Sequence, residues 1–262
     1  MLMAHDLDFD PEAHRNRYFG NDKKKTTRPL LASWEGILSS PYTGGRDICR
    51  SASRLRSVFQ DAGIIIVLRN QLSMIESLYK HYVSTGGWAG FETFLSFDRE
   101  NGWWLGLDYF RYDRVVHYYQ QLFGKDAVHV CLFEELREFP EPFLKNLADF
   151  MGVSPFEMDM KARRKKDNVA FSSISLSSAR LINRFLGSTY NPAPLIPIWL
   201  VNAFMTGTFL RKADKALLSR LFPSPGILDD ETSRAVSLYF AEGNRALSGE
   251  LGLPMENYGY PL

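Results

Sequence analysis

The pattern of apolar and polar residues is clearest over residues 63–82, which read GIIIVLRNQLSMIESLYKHY. Residues 64–68 are aliphatic and mostly β-branched, which predicts a strand buried on both faces, as in parallel sheets. Apolar residues then recur at helical spacing, and Ser73 and Glu76 have the spacing of a capping box near the helix start. The pattern therefore predicts that Arg69 lies at the carboxyl end of a buried strand and directly before a helix. Ligands of open α/β sheets bind at that edge, and helix amino ends favour anions.

Strand and helix patterns alternate through the first half of the chain. Besides the strand at 64–68, short strands are expected over residues 30–34 and 127–133. Helices are expected over residues 47–61, 72–82, 108–123 and 139–151, with later helices that end near residue 187 and span 229–251. This alternation predicts an α/β fold, in which a parallel sheet is connected by helical crossovers.

The predicted elements indicate a single domain. Residues 1–28 form a polar N-terminal arm in which no periodic pattern is present. Residues 29–153 form the α/β core, and residues 154–262 form a mainly helical part. No internal repeat or low-complexity segment divides the chain.

Composition and charge limit the classes of partner. The chain has 262 residues with 45% apolar and 14% aromatic residues, which is typical of a folded globular protein. A net charge of +1 gives bulk nucleic-acid binding little electrostatic support, so an anion site must be local. Cys49 and Cys131 lie outside any CxxC or metal-binding spacing, and we interpret them as two buried thiols of a reducing compartment. We therefore expect a cytoplasmic protein that binds no nucleic acid.

The apolar segment at residues 195–210, LIPIWLVNAFMTGTFL, is the one candidate for membrane contact. It is shorter than most membrane-spanning helices and is interrupted by Pro197, Asn202 and Gly207. A buried helix or the wall of a substrate site is favoured over contact with a membrane surface.

Several kinds of catalytic site are not indicated by the sequence. The five histidines have no ligand-like spacing among themselves or with the cysteines, so no metal site is predicted. The chain also contains no GxSxG, HExxH or complete GxxxxGK[ST] motif. These absences argue against most hydrolases and metalloenzymes.

Arg69 and Ser77 form the pair of residues best suited to an anion. A guanidinium group offers a rigid fork of donors that fits a phosphate, and a serine hydroxyl adds a further hydrogen bond. The alternative is that Arg69 is an ordinary charge at a strand end and that Ser77 is a small residue for helix packing. Spacing alone favours this ordinary structural interpretation.

The segment around this pair resembles the 3′-phosphate-binding segment of sulfotransferases that use 3′-phosphoadenosine 5′-phosphosulfate. That family has an apolar strand, then Arg-Asn-Pro, a serine eight residues after the arginine, and tyrosines. Arg69, Asn70, Ser77 and Tyr79 match those positions. Gln71 replaces the proline, which only favours the start of a helix there.

A second resemblance lies downstream, between Tyr112 and Gly152. Residues 133–136, Phe-Glu-Glu-Leu, stand where the family has Tyr-Glu-Asp-Leu, and residues 150–153 stand where it has Phe-Leu-Gly-Val. The final helix and the ending GLPMENYGYPL are similar to the ends of many bacterial members. The resemblance covers residues 29–153, and the rest of the chain more loosely.

The resemblance implies a single sulfotransferase-like domain over residues 1–262, with a three-layer P-loop-type parallel sheet flanked by helices. It implies an enzyme that moves a sulfuryl group from 3′-phosphoadenosine 5′-phosphosulfate to a hydroxyl acceptor, either a carbohydrate or a glycolipid. No metal is expected to take part. The acceptor itself is chosen by variable loops in such enzymes.

The resemblance also implies roles for individual residues. Arg69 and Ser77 would bind the 3′-phosphate. Lys165 and Asn168, in the basic loop at 161–168, would close over it or bind an anionic acceptor, although a run of like charges is more often a solvated surface. Glu35, in Ser-Trp-Glu where similar bacterial members have Ser-Ser-Glu, would be the general base. The alternatives are that Glu35 caps a turn or that His81 is the base.

Two other expectations concern a carboxylate and a missing loop. Glu134 is expected to make structural hydrogen bonds at a strand end. The family's Lys-Ser-Gly-Thr-Thr-like loop, which holds the 5′-phosphosulfate, is matched only by Lys25-Thr26-Thr27, without a preceding strand or following helix. The chain would then be shortened, start further upstream, or be a degenerate relative. The alternative function is thus a non-catalytic or truncated sulfotransferase-like binding protein.

Overall fold

The computed structural model describes residues 5–20, 30–33, 35–42, 44–95, 105–154, 172–191, 194 and 226–262, without the side chains of residues 35, 36 and 173. The chain divides into two compact units. The first unit comprises Met1–Asn70, Gly106–Met158 and Leu238–Leu262, and the second comprises Gln71–Leu105 and Asp159–Ser237. The single sulfotransferase-like domain stays a prediction.

The described part of the chain is mostly helical, with a small sheet. Its helices and strands are α1 Pro11–Phe19, α2 Ile48–Val58, β1 Ile64–Leu68, α3 Gln71–Ser84, α4 Phe91–Phe94, α5 Tyr112–Phe123, β2 Val128–Leu132, α6 Phe133–Glu138, α7 Pro140–Met151, α8 Ser173–Asn183 and α9 Asp230–Leu251. Short 3-10 turns cover Asp6–Asp8, Glu35–Leu38, Leu107–Phe110, Lys125–Ala127 and Glu256–Tyr258.

The sheet of the first unit consists of β1 and β2, which pair in parallel. The register runs from Ile64 opposite Val128 to Leu68 opposite Leu132. Both strands lie within one residue of their predicted positions, and the helical connection between them confirms an α/β arrangement. The larger three-layer sheet that the resemblance implies stays a prediction.

Helices α2 and α5 pack against one face of β1. The buried residues Ala52 and Val115 form part of a cluster against which Ile64 and Ile66 pack. Val67 belongs to the opposite face, because side chains alternate along a strand, and it is 49% exposed. The expectation that this strand is buried on both faces is therefore wrong at Val67.

The strand predicted at residues 30–34 is not present over residues 30–33, and Trp34 lies outside the described residues. Leu30 and Leu31 are 67% and 64% exposed, so this apolar run covers no core surface. An apolar run forms a strand only where a neighbouring strand satisfies its backbone groups. Glu35 instead begins a 3-10 turn, Glu35–Leu38.

The N-terminal arm contains a helix that its sequence pattern did not predict. The Asp10 side chain caps α1 by accepting hydrogen bonds from the backbone N–H groups of Glu12 and Ala13. Arg15 on this helix donates to the carbonyl oxygens of Val58 and Ser57, at 3.0 and 3.1 Å. A good cap, one long polar side chain and ring contacts of Tyr18 and Phe19 with Phe59 thus hold α1 without a periodic apolar face.

Two predicted helix starts are wrong. Helix α3 begins at Gln71, so Ser73 lies inside the helix and cannot be its capping residue. The Glu76 carboxylate accepts instead from the backbone N–H groups of Ile227 and Leu228, at 2.8 and 3.3 Å. Helix α5 begins at Tyr112 rather than after Asp108, because a 3-10 turn intervenes.

The second unit is organised by helices α3 and α8. The Asn183 side chain of α8 is buried and donates to the carbonyl oxygens of Val83 and Gly87, both at 2.8 Å. Aromatic rings fill the space on the α3 side, where Tyr82 lies 5.0 Å from Phe94 between ring centroids. A buried amide therefore joins α8 to the end of α3.

Within the described ranges, no helix has both the length and the apolar character to cross a membrane. The apolar segment at 195–210 lies outside the described residues. Cys131 is buried as expected, whereas Cys49 is exposed, so the expectation of two buried thiols is wrong for Cys49.

Candidate functional site

The candidate site lies at the carboxyl edge of the sheet in the first unit. Leu68 and Leu132 are opposite each other at the ends of β1 and β2. The next residues along the chain, Arg69 and Phe133, therefore leave the sheet at the same edge. Polar side chains from both strand ends meet there.

Arg69 is held at this edge through its backbone and through an aromatic ring. The Tyr112 hydroxyl, on α5, donates to the carbonyl oxygen of Arg69 at 2.8 Å. The guanidinium carbon lies 5.4 Å from the centroid of the Phe133 ring, which is within the range of a cation–π contact. Burial raises the pKa of Tyr112, so this hydroxyl keeps its proton and remains a donor. Arg69 is half-buried, with a fixed backbone and an aromatic support.

The Glu134 carboxylate connects the two strand ends to the C-terminal segment. One oxygen accepts from the backbone N–H of Asn70 at 3.0 Å, and the other accepts from the Tyr260 hydroxyl at 2.9 Å. Burial and the nearby Glu134 charge raise the pKa of Tyr260, so Tyr260 is a stable donor. These contacts confirm the prediction that Glu134 makes structural hydrogen bonds.

The Asn70 side chain also contacts the C-terminal segment. Its amide group donates to the carbonyl oxygens of Tyr258 and Gly259, at 3.2 and 2.7 Å. Gly259 has φ +65°, in the left-handed region that favours glycine. Sequence reasoning missed this contact, because local patterns cannot pair residues that lie about 190 positions apart. The Tyr-Gly-Tyr ending was the one available signal.

A cavity of about 370 Å³ lies beside β2 and is lined in part by Glu135 and Cys131. Burial raises the pKa of the Cys131 thiol to about 12, so it is a poor nucleophile. The Glu135 carboxylate accepts from the backbone N–H of Leu132 at 3.1 Å. Of the residues that the structure describes, none that the sequence singled out for phosphate binding or catalysis lines this cavity.

The structure describes only some of the other predicted site residues. Ser77 is half-buried on α3, six residues or about 9 Å of helix beyond Gln71. It belongs to the second unit and Arg69 to the first, so their pairing stays a prediction. Lys165 and Asn168 lie outside the described residues, as does the side chain of Glu35. His81 is exposed on α3.

Among the described residues, no group of three or more histidine, cysteine, aspartate or glutamate side chains is arranged to hold a metal ion.

Comparison with known proteins gives one structural match. No family model matches the chain, and no curated protein matches it significantly. The crystal structure of a sulfotransferase from Alicyclobacillus acidocaldarius is similar to it at 24% sequence identity, with a TM-score of 0.39. The match covers 55% of this chain and 60% of that one, so the chain spans about three fifths of the matched structure.

Proposed function

We propose that this protein is a sulfotransferase that uses 3′-phosphoadenosine 5′-phosphosulfate to sulfate a hydroxyl group of a carbohydrate or glycolipid. The observation that carries the proposal is the placement of Arg69. Its guanidinium group follows a parallel strand at the sheet edge, its backbone is held by Tyr112, and a helix begins two residues later. This edge is where α/β folds bind anionic ligands.

The 3′-phosphate of the donor is the anion proposed for this position. Arg69 offers two parallel N–H donors to it, and Ser77 adds a hydroxyl. Lys165 and Asn168 are proposed to close over the same phosphate. In this proposal β1 and β2 are two strands of a three-layer P-loop-type sheet.

The reaction is a transfer of one sulfuryl group. A bond forms between the acceptor oxygen and sulfur, while the bond between sulfur and the 5′-phosphate oxygen breaks. The electron pair of the broken bond leaves with adenosine 3′,5′-bisphosphate, and the hydroxyl proton passes to a base, for which we propose the Glu35 carboxylate. As in phosphoryl transfer, catalysis depends on positioning and on neutralising the charge of the transferred group.

The second candidate is a non-catalytic or truncated sulfotransferase-like binding protein. The observation that favours it is the use of Asn70, whose amide bonds to the C-terminal segment. Asn70, which matches a position of the sulfotransferase motif, is thus required by the fold itself. The motif can therefore be kept in a protein that has lost catalysis.

Calorimetric titration with adenosine 3′,5′-bisphosphate tests the proposal. The wild type should bind it saturably, and Arg69→Ala should lose most of the affinity. Arg114→Ala, an exposed arginine of α5, is the matched control and should bind like the wild type. Adenosine 5′-monophosphate lacks the 3′-phosphate, so its binding should not respond to Arg69→Ala. Failure of the wild type to bind, or equal binding by Arg69→Ala, would remove the sulfotransferase proposal.

Product analysis separates the two candidates. Incubation with the sulfuryl donor and a panel of carbohydrate and glycolipid acceptors should give a sulfated product if the protein is an enzyme. Glu35→Gln should then reduce the rate of product formation and leave the affinity for the bisphosphate unchanged. Binding without product for the whole panel would favour the binding protein.

A further inference from the structure

Arg180, on α8 in the second unit, has an unsatisfied charged group. The residue is half-buried and its Nε atom is inaccessible to solvent, yet this atom has no hydrogen-bond partner among the described residues. A buried Nε–H group without an acceptor is costly, because it has lost water and gained nothing in exchange. Such a group in a native fold therefore calls for a bound acceptor.

Two tyrosine hydroxyls of α3 bond to Ala89, the residue before Gly90, where an added Cβ atom would lie 3.3 Å from Nη2 of Arg180. Burial raises the pKa of both Tyr79 and Tyr82, and the charge of Arg180 opposes the increase in each. Tyr79 donates to the carbonyl oxygen of Ala89 at 3.1 Å, whereas the Tyr82 oxygen accepts from the Ala89 N–H at 3.3 Å. Tyr82 is the acceptor in its bond with Ala89, so its hydroxyl proton remains available for donation to a ligand of Arg180.

Gly90 lies directly against the guanidinium. A Cβ atom at position 90 would lie 3.3 Å from Nη2 of Arg180, tighter than ordinary van der Waals contact. The backbone there has φ −68°, which any residue adopts, so the glycine is not required by conformation. The close approach to Arg180 is thus a physical reason for glycine at this position.

We propose that Arg180 binds an oxyanion, with the Tyr82 hydroxyl as a second donor. The ligand class is a small molecule that carries a carboxylate, phosphate or sulfate group. An oxyanion satisfies Nε and neutralises the charge, which a neutral acceptor cannot do, and charge-assisted hydrogen bonds are the stronger kind. This site lies within the second unit and does not rest on the proposed sulfotransferase function.

Thermal unfolding in sodium sulfate, with sodium chloride at equal ionic strength as reference, tests this site. The wild-type Tm should rise with sulfate and level off, since an anion that binds only the folded state stabilises it by mass action. At a sulfate concentration of about ten times Kd, the ratio of folded to unfolded protein should rise about tenfold. Parallel titrations with phosphate and acetate identify the preferred oxyanion.

Arg180→Met is the decisive variant. Without sulfate its Tm should equal or exceed that of the wild type, because an unpaired charge has been replaced by an apolar side chain. With sulfate it should lose the saturable increase. Arg184→Met is the matched control, one helical turn further along, where the arginine packs 5.9 Å from the Trp88 ring. This control should keep the wild-type response to sulfate, and both variants share any general salt effect.

An NMR titration and a Gly90→Ala variant test the same site. The Nε–Hε NMR signal of Arg180 should shift saturably with sulfate, and Gly90→Ala should weaken that response by crowding the guanidinium. An identical sulfate response in Arg180→Met and wild type would overturn the proposal. So would a large decrease in Tm for Arg180→Met without sulfate, since that would reveal an acceptor supplied by the protein itself.

Discussion

The Glu134 carboxylate accepts a hydrogen bond from the Tyr260 hydroxyl, 2.9 Å away, across 126 residues of sequence. The other oxygen of the same carboxylate accepts from the backbone of Asn70, at the end of β1. One side chain therefore links both strands of the sheet to the end of the chain. The backbone that presents Arg69 depends on this link.

Tyr260→Phe should destabilise the protein. The change removes a hydrogen bond to a charged acceptor, and such bonds contribute about 1.5–3 kcal/mol. Urea unfolding should show a lower midpoint with an unchanged slope. Tyr258→Phe is the control, because the Tyr258 hydroxyl makes no hydrogen bond to the described residues. Equal midpoints for the two variants would contradict the importance of the Glu134 contact.

Tyr119→Phe should leave stability unchanged or raise it by about 1 kcal/mol, because removing a buried, unpaired hydroxyl removes its desolvation cost. Tyr119 lies in the core of the first unit, and its hydroxyl has no hydrogen-bond partner within the described part of the chain. Burial raises its pKa to about 12. Tyr118→Phe is the comparison and should not stabilise, since its hydroxyl lies 3.3 Å from the Ser53 hydroxyl. A clear loss of stability in Tyr119→Phe, seen by urea unfolding, would count against an unpaired group.

Gly152→Ala should destabilise the end of α7. Gly152 has φ +64° and caps the helix in the left-handed conformation, which costs an L-residue about 1–2 kcal/mol. No atom lies near its added Cβ, so the effect is conformational. Gly249→Ala, exposed inside α9 with equally open space, should stabilise by about 0.5–1 kcal/mol. Thermal unfolding should therefore shift in opposite directions for the two variants.

His129 should make stability depend on pH. Burial lowers the pKa of its imidazole below the usual 6.5, against a smaller opposing effect of Glu135. The unfolded state then binds protons more readily than the folded state. The contribution of neutral His129 to stability is therefore complete above about pH 6.5 and is lost as the pH decreases through the folded pKa. His129→Gln should reduce the loss of stability between pH 7 and pH 5, measured by urea unfolding. Superimposable pH curves for the two proteins would contradict this effect.

Local sequence patterns were sufficient for the elements that bury an apolar face. Residues 64–68 and 128–132 form the two strands, and helices α3 and α7 were expected, because short-range periodicity reflects burial directly. The short helix α6, directly after β2, was not predicted. The same reasoning was wrong at residues 30–33, where an apolar run has no partner strand. It also missed α1, whose cap and polar contacts leave no periodic signal.

The sequence by itself determined which residues stand at the strand ends, including Arg69 and Glu134, since a strand's end is set by its local pattern. Only the tertiary structure decided what those residues contact. The pairing of Glu134 with Tyr260 and the unpaired Nε of Arg180 both arise from segments that are distant in sequence. Hydrogen bonds between distant segments depend on how the helices and strands pack, which no local pattern encodes.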